Sequence, residues 1–200
     1  IININIQIMD NIINGLSIVA TPIGNLDDIT YRAVRTLREC DIIICENPKH
    51  SLKLLNKLDI KKKLIAIHDY NEHKIIDQIK VLLKNKNCVL ISDAGSPLIS
   101  DPGYNLVQYC ISNNIRVTSL PGPSSIVSGL QLSGLPISEF AFFGFVPKSK
   151  KKMQDIIKNI SQETKTCIFF VSNHKLIDFL DCLKNIVGDR SISICKELTK

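Results

Sequence analysis

Short aliphatic, β-branched runs alternate with longer amphipathic stretches as far as Leu120, and this alternation restricts the fold more than any other feature. Leu16–Ala20, Asp41–Cys45, Leu64–Ile67, Cys88–Ile91 and Arg116–Leu120 read as strands. They are almost continuously apolar, as strands buried on both faces are. Helical patterns lie between them. Ile29, Ala33, Val34 and Leu37 share one face, with Asp27 or Asp28 expected as the cap. A short basic helix ends near Leu58. Ile75, Ile76, Ile79, Leu82 and Leu83 mark the next helix, and Leu106, Val107, Cys110 and Ile111 the one after. Strand–helix alternation of this kind predicts an α/β fold with a mostly parallel sheet and helices on both faces.

The texture changes at Pro121-Gly122-Pro123, where a domain boundary is expected: an N-terminal α/β domain over 15–122 and a second α/β domain over 123–200. In the second, Ser124–Ser133 reads as a helix and Phe140–Phe145 as an aromatic strand. A helix ending near Ile160, a strand Cys167–Val171, a helix His174–Val187 and a last strand Ser191–Lys196 follow. Residues 1–14 alternate Ile and Asn without turn signals and read as a poorly specified leader, with Met9 inside it as a candidate start.

Composition narrows the functional classes. Hydrophobic residues make up 44% of 200, enough for a sizeable core. The net charge of +6 suits a polyanionic partner, and the lysines are dense only at Lys148–Lys152. Seven cysteines lack any Cys-x-x-Cys pair or Cys/His ligand spacing and sit in apolar segments or, for Cys40, at a helix end. They read as reduced, buried side chains of a cytosolic protein, with no metal site expected. No apolar run is long enough to span a membrane, and no basic region precedes an apolar core as in a signal peptide.

Five exit loops carry the polar chemistry: Thr21–Asn25, Glu46–His50, His68–Asn71, Ser92–Asp101 and Pro121–Ser125. A parallel sheet gathers all five on one edge, where ligands of open α/β sheets bind. The fourth, Ser92-Asp93-Ala94-Gly95-Ser96-Pro97-Leu98-Ile99-Ser100-Asp101-Pro102-Gly103, has its path fixed by two glycines and two prolines, and its two aspartates are expected to face outward. There is neither a Gly-x-Gly-x-x-Gly after the first strand nor a P-loop, so a standard dinucleotide or P-loop nucleotide site is disfavoured. His50, His68 and His73 read as surface or site hydrogen-bonders.

Thr21-Pro22-Ile23-Gly24-Asn25-Leu26, the 92–103 string, Leu120-Pro121-Gly122-Pro123-Ser124, Ser133-Gly134-Leu135-Pro136, Gly144-Phe145-Val146-Pro147-Lys148-Ser149-Lys150 and Lys196-Glu197-Leu198-Thr199-Lys200 occur in this order. Together they resemble the 16S ribosomal RNA methyltransferase branch of the tetrapyrrole methylase superfamily, over roughly residues 15 to 200. The resemblance implies S-adenosylmethionine-dependent 2′-O-methylation of a cytidine ribose in 16S rRNA of the small subunit. It further implies two α/β domains with the cofactor between them, usually in a homodimer. By resemblance Ser92, Asp93, Ala94, Gly95, Pro97 and Leu98 hold the cofactor with Pro121, Gly122, Pro123, Ser124 and Ser125, and Pro22 and Gly24 line the same cleft. Rigid Gly/Pro loops supply backbone groups at close range, as such a ligand requires. Candidate bases or orienters are Glu46, His50, His68 and Asn71, with Glu46 and His50 favoured because both lie on one short loop; Glu46 as a mere helix cap or lysine partner is the competing reading. Lys148, Lys150, Lys151 and Lys152 could hold RNA phosphates or form a solvated helix start.

Two motifs depart from the family pattern. Glu-Asp-Thr-Arg-His appears as Glu46-Asn47-Pro48-Lys49-His50, and Tyr-Glu-Ser-x-His-Arg as Phe170-Val171-Ser172-Asn173-His174-Lys175. Lys does not reproduce a bidentate Arg contact. Members also continue beyond the last motif, so the second domain is expected to be incomplete at its C-terminus. Two alternatives stay open: a porphyrinoid C-methyltransferase, and a non-catalytic remnant that binds cofactor or RNA.

Overall fold

The computed structural model describes residues 14–68 and 72–200. All of the expected leader except Asn14 lies outside the described residues, as does Asn71 of the candidate site. The chain divides into two compact units, Ile1–Pro123 and Ser124–Lys200.

The first unit runs β1 (Gly15–Val19), α1 (Tyr31–Glu39), β2 (Ile42–Cys45), α2 (Pro48–Lys57), β3 (Lys63–Ala66), α3 (Glu72–Leu83), β4 (Asn87–Ile91), α4 (Tyr104–Ser112) and β5 (Val117–Leu120). All pairings are parallel, in the order β3-β2-β4-β1-β5. Alternate residues of each strand serve opposite faces. Val19, Ile43, Cys45, Val89 and Ile91 pack against Ala33 and Leu37 of α1 and Leu55 of α2. Leu16, Ile42, Ile44, Cys88 and Leu90 pack against Ile76, Ile79 and Leu83 of α3 and Leu106 and Cys110 of α4. Each Leu, Ile or Val among them contributes about 1.5–3 kcal/mol by leaving water.

This layering positions the site. Central β4 leaves the sheet toward the α3/α4 face. Its neighbours β1 and β2 leave toward the α1/α2 face. Loops that depart in opposite directions open a crevice at the carboxyl edge, the place where open α/β sheets take ligands.

The start of α1 differs from expectation. Asp27 and Asp28 sit in a separate 3-10 turn, Leu26–Asp28, capped by the Asn25 side chain. Ile29 is then extended, and Thr30 caps α1 by accepting from the Ala33 N–H at 3.1 Å. Asp27 is free to pair with Lys57 at 2.6 Å.

The second unit holds α5 (Ser125–Ser133), β6 (Phe140–Phe145), α6 (Lys150–Ile160), β7 (Thr166–Phe170) and α7 (Leu176–Val187). β6 and β7 are parallel, with an irregularity between Phe142 and Phe145. Met153 and Ile157 of α6 and Phe179 and Cys182 of α7 form its core with Val146, against Phe169 and Val171.

Ser191–Lys196 is not a strand, contrary to the sequence reading. Its Ser/Ile alternation gives it an apolar side, but a strand exists only where a neighbour takes up its backbone groups. Arg190 anchors the start of the segment, donating to Lys165 O at 2.9 Å and Ile160 O at 3.4 Å. Ile192 and Ile194 then line a cavity of about 450 Å³ with Phe169, Phe179 and Leu183. The cysteine reading needs adjusting too. All seven are free, but Cys167 is half-buried and Cys195 exposed.

Candidate functional site

The register places the exit loops in one line. Ala66, Cys45, Ile91, Val19 and Leu120 lie side by side across the five strands. The next residues are therefore neighbours at the edge: Ile67, Glu46, Ser92, Ala20 and Pro121. At a strand spacing of about 4.8 Å, Glu46 sits beside Ser92 and close to Asp93.

Three of these loops are stitched together. Thr21 and Gly95 exchange two backbone hydrogen bonds of 2.9 Å each. Thr21, itself buried, donates its hydroxyl to Ser92 O at 3.1 Å. Ser92 donates to Gly95 O at 3.1 Å, and Ser96 to Pro123 O at 3.4 Å. Glycine is required at 95 on two counts. Its φ of +83° lies in the left-handed region, and a Cβ there would sit 3.3 Å from Ile23 Cγ2. Pro22 and Pro97 are buried, Leu98 and Pro123 half-buried, and Gly24, Ala94, Pro121 and Gly122 exposed on the same edge. Ser124 and Ser125 open the second unit, where Ser124 caps α5 by accepting from Val127 N.

The two loop aspartates do not face outward. Both are half-buried. Asp93 Oδ1 is shielded from solvent and has no hydrogen-bond partner among the described residues. A buried acceptor without a donor is costly and points to something missing from the protein itself. Burial, and then the negative charge of Glu46, push the Asp101 carboxyl up to about 6; Ser92 opposes the shift and Asp93 adds to it. Asp101 was not among the residues singled out from sequence, nor was Thr21. Asp-Pro-Gly reads locally as turn chemistry, and only the fold brings Asp101 back to Ser92.

The second exit loop is shorter than its motif suggests. Pro48 is the first residue of α2, so His50 is in the helix's first turn and exposed, while Glu46 stays half-buried in the loop. Asn47 is the cap: its side chain accepts from Lys49 N at 3.1 Å and His50 N at 3.4 Å. The departures Asn47 and Pro48 thus suit a helix start, and Glu46 is not needed as a cap. His68 is exposed at the end of β3. Val171 packs against the α6/α7 core.

Lys150, Lys151 and Lys152 are the first three residues of α6, and they and Lys148 are exposed. None of the four makes an ion pair among the described residues, and the cap Ser149 makes no side-chain bond. Cations at a helix N-terminus oppose the macrodipole. The arrangement suits an anion more than it suits the helix. Among the described residues, no group of His, Cys, Asp and Glu is placed to hold a metal ion, and no helix is long and apolar enough to cross a membrane.

Residues 15–200 match the family model of the tetrapyrrole (corrin/porphyrin) methylases. The chain belongs to this family. Relatives named "Ribosomal RNA small subunit methyltransferase I" are similar over most of this chain. The protein of Thermotoga maritima is 45% identical over 92% of this chain and 83% of its own length. That of Halalkalibacterium halodurans is 44% identical over 92% of this chain and 64% of its own. That of Escherichia coli O157:H7 is 42% identical over 97% of this chain and 68% of its own. The present chain thus spans about two thirds of the length of the latter two relatives. The crystal structure of diphthine synthase shares the fold, with a TM-score of 0.63 at 17% identity over 80% of this chain and 64% of that one.

S-adenosylmethionine can be tested against these residues. It carries an ammonium, ribose hydroxyls and a sulfonium, and so brings N–H and O–H donors and positive charge. An orphaned carboxylate oxygen at Asp93, with Glu46 and Asp101 beside it, fits those groups. The close-packed backbone around Gly95 fits a ligand held by main-chain groups. The residues present fit the cofactor.

Proposed function

We propose that this methylase-family chain is an S-adenosylmethionine-dependent methyltransferase acting on a cytidine 2′-hydroxyl of 16S rRNA in the small ribosomal subunit, a cytoplasmic substrate. The observation that carries the cofactor half is the buried, unpartnered Asp93 Oδ1 beside the stitched loops. The substrate half rests on the names of relatives more than 40% identical and on the unpaired lysines at the start of α6.

When bound, the cofactor would supply an electrophilic methyl group as its sulfur–methyl bond breaks, leaving the neutral thioether. Asp93 would accept hydrogen bonds from it, and the Ser92–Leu98 backbone with Pro121–Pro123 would hold it; Pro22 and Gly24 border the same edge. Ser124 and Ser125 are included on the resemblance alone. Glu46, half-buried next to Ser92, is placed to accept the proton of the ribose 2′-hydroxyl. His50 and His68, both exposed along the edge, are the candidates for orienting the nucleotide, with Asn71 of the same exit loop as His68. Lys148 and Lys150–Lys152 hold phosphates, positioning RNA without reading its sequence. Family resemblance adds a homodimer as the working form. A chain that binds cofactor but transfers no methyl is the second reading, favoured by Lys49 and the core-packed Val171 at two motif positions.

The test is transfer of labelled methyl to small subunits that lack the modification. Label in one cytidine ribose, lost in Glu46→Gln while cofactor still binds, supports the proposal. Binding without transfer by the unaltered protein selects the second reading.

A further inference from the structure

We propose that the outer face of α1 and α2 is an RNA-binding surface, on which Arg35, Arg38, Lys49 and Lys53 hold the phosphates of a single strand and Tyr31 stacks on one of its unpaired bases. Its ligand rests on the RNA reading above; its geometry and charge do not.

The residues that the two helices bury fix which residues they present. α1 turns Ala33, Thr36 and Leu37 inward, and α2 turns Ser51, Leu54 and Leu55 inward. At about 100° per residue, the opposite side of α1 carries Tyr31, Arg35 and Arg38, and that of α2 carries Lys49, Lys53 and Asn56. All six are exposed. Both helices cover the same face of the sheet, where Ala33, Leu37 and Leu55 join one core with Val19, Ile43 and Val89.

The charge is one-sided. α1 and α2 together contain six lysines and arginines and one carboxylate, Glu39. α3 and α4, on the other face of the sheet, contain two lysines and two carboxylates. Arg35, Arg38, Lys49 and Lys53 make no ion pair among the described residues. Arg38 donates to Leu58 O at 3.3 Å, which anchors the guanidinium and leaves its charge uncompensated. Arg32, Arg35 and Arg38 follow one another at i, i+3 along α1, and Lys49, Lys53 and Lys57 at i, i+4 along α2. Like charges at these spacings repel, so the helices themselves gain nothing from the pattern. Lys57 is relieved by Asp27 at 2.6 Å. A phosphate chain laid across both helices relieves the others.

Tyr31 gives the surface a reason to prefer unpaired bases. An exposed tyrosine is ordinary by itself. This one is 98% exposed and heads the row of cations on α1. It is the first residue of the helix that Thr30 caps. The adjacent Arg32 donates to Ser119 O at 3.2 Å, which fixes the first turn of α1 at the carboxyl end of β5. Helical side chains lean toward the helix N-terminus, so Tyr31 leans toward the edge that carries Glu46 and the Ser92–Asp101 loop. An aromatic ring stacks on any unpaired base, and basic side chains beside it follow the backbone. A strand held along α1 and α2 thus leads to the edge where the ribose has to react.

The experiment measures binding of an end-labelled single-stranded RNA and of a duplex RNA across a salt series. The proteins are the unaltered chain, Tyr31→Ala, Tyr31→Phe, the double variant Arg35→Ala with Lys53→Ala, and the variant with Lys150, Lys151 and Lys152 of α6 replaced by Ala. All of these side chains except Lys152's neighbour Met153 lie outside the cores, so the fold is kept. Tyr31→Ala should bind the single strand about ten-fold more weakly with the salt slope unchanged, and the duplex as before. Tyr31→Phe keeps the ring and should bind like the unaltered protein. The double variant should weaken both RNAs and flatten the slope for the single strand by about 0.7 per lost phosphate contact. Binding unmoved in Tyr31→Ala and in the double variant, but weakened in the α6 variant, overturns this proposal and leaves the RNA reading standing. Equal losses on single strand and duplex in Tyr31→Ala overturn the proposal as well, because stacking needs an unpaired base. No RNA binding by the unaltered protein overturns the RNA reading and the proposal together.

Discussion

The two units use the same strand–helix–strand device, yet they hold their side chains differently. In β2 every residue is at most 4% exposed, and β4 is nearly as enclosed. In β7 every residue is only half-buried, and on β6 Phe140 and Phe145 are 47% and 60% exposed. Among the described residues the first unit has five strands with helices on both faces. The second has two strands, and its core packs α6 and α7 against one side. An exit loop is only as well placed as the strand that delivers it. The Ser92–Gly103 loop leaves β4, the central strand of the five-stranded sheet, buried from Cys88 to Ile91, and that is why it can sustain left-handed residues and a buried unpartnered carboxylate oxygen.

That contrast can be broken most directly in the cores. Ile43→Ala, at 0% exposure in β2, should cost about 3–4 kcal/mol in urea unfolding. Ile168→Ala in half-buried β7 should cost about 1–2 kcal/mol. Equal costs would mean that the second sheet is as tightly enclosed as the first. The smallest effect is expected at α6. Replacing Lys150, Lys151 and Lys152 together by Ala should stabilise the second unit by a few tenths of a kcal/mol per charge. The same variant should weaken RNA binding and flatten its salt dependence, by up to about one unit of slope per lost phosphate contact. Loss of stability together with unchanged RNA binding would make the lysines ordinary surface.

Much of the first unit was legible in the sequence because its signals are local. Buried parallel strands are runs of Ile, Val and Leu, and the amphipathic helices between them repeat every three to four residues. Strand order was not legible. Nothing local places β4 between β1 and β2, and that placement makes the Ser92–Gly103 loop central. The misreadings share this cause. Asp27 and Asp28 look like caps, but the extended Ile29 passes that role to Thr30. Asp101 looks like turn chemistry until the chain returns it to Ser92. Ser191–Lys196 carries strand periodicity, but pairing is a property of its neighbours. His50 looked adjacent to Glu46 because Pro48 reads equally well as loop or as first residue of a helix. The membership of the loops in one edge followed from parallelism alone, so most site candidates could be named before their contacts were known.

The most direct test of the account is calorimetric titration of this chain with S-adenosylmethionine at pH 7.5, with Asp93→Ala beside it. The account predicts one site per chain, weakened at least ten-fold by the substitution because the cofactor's donor groups lose their acceptor. Binding that is indifferent to Asp93, or no binding by a folded chain, would contradict it.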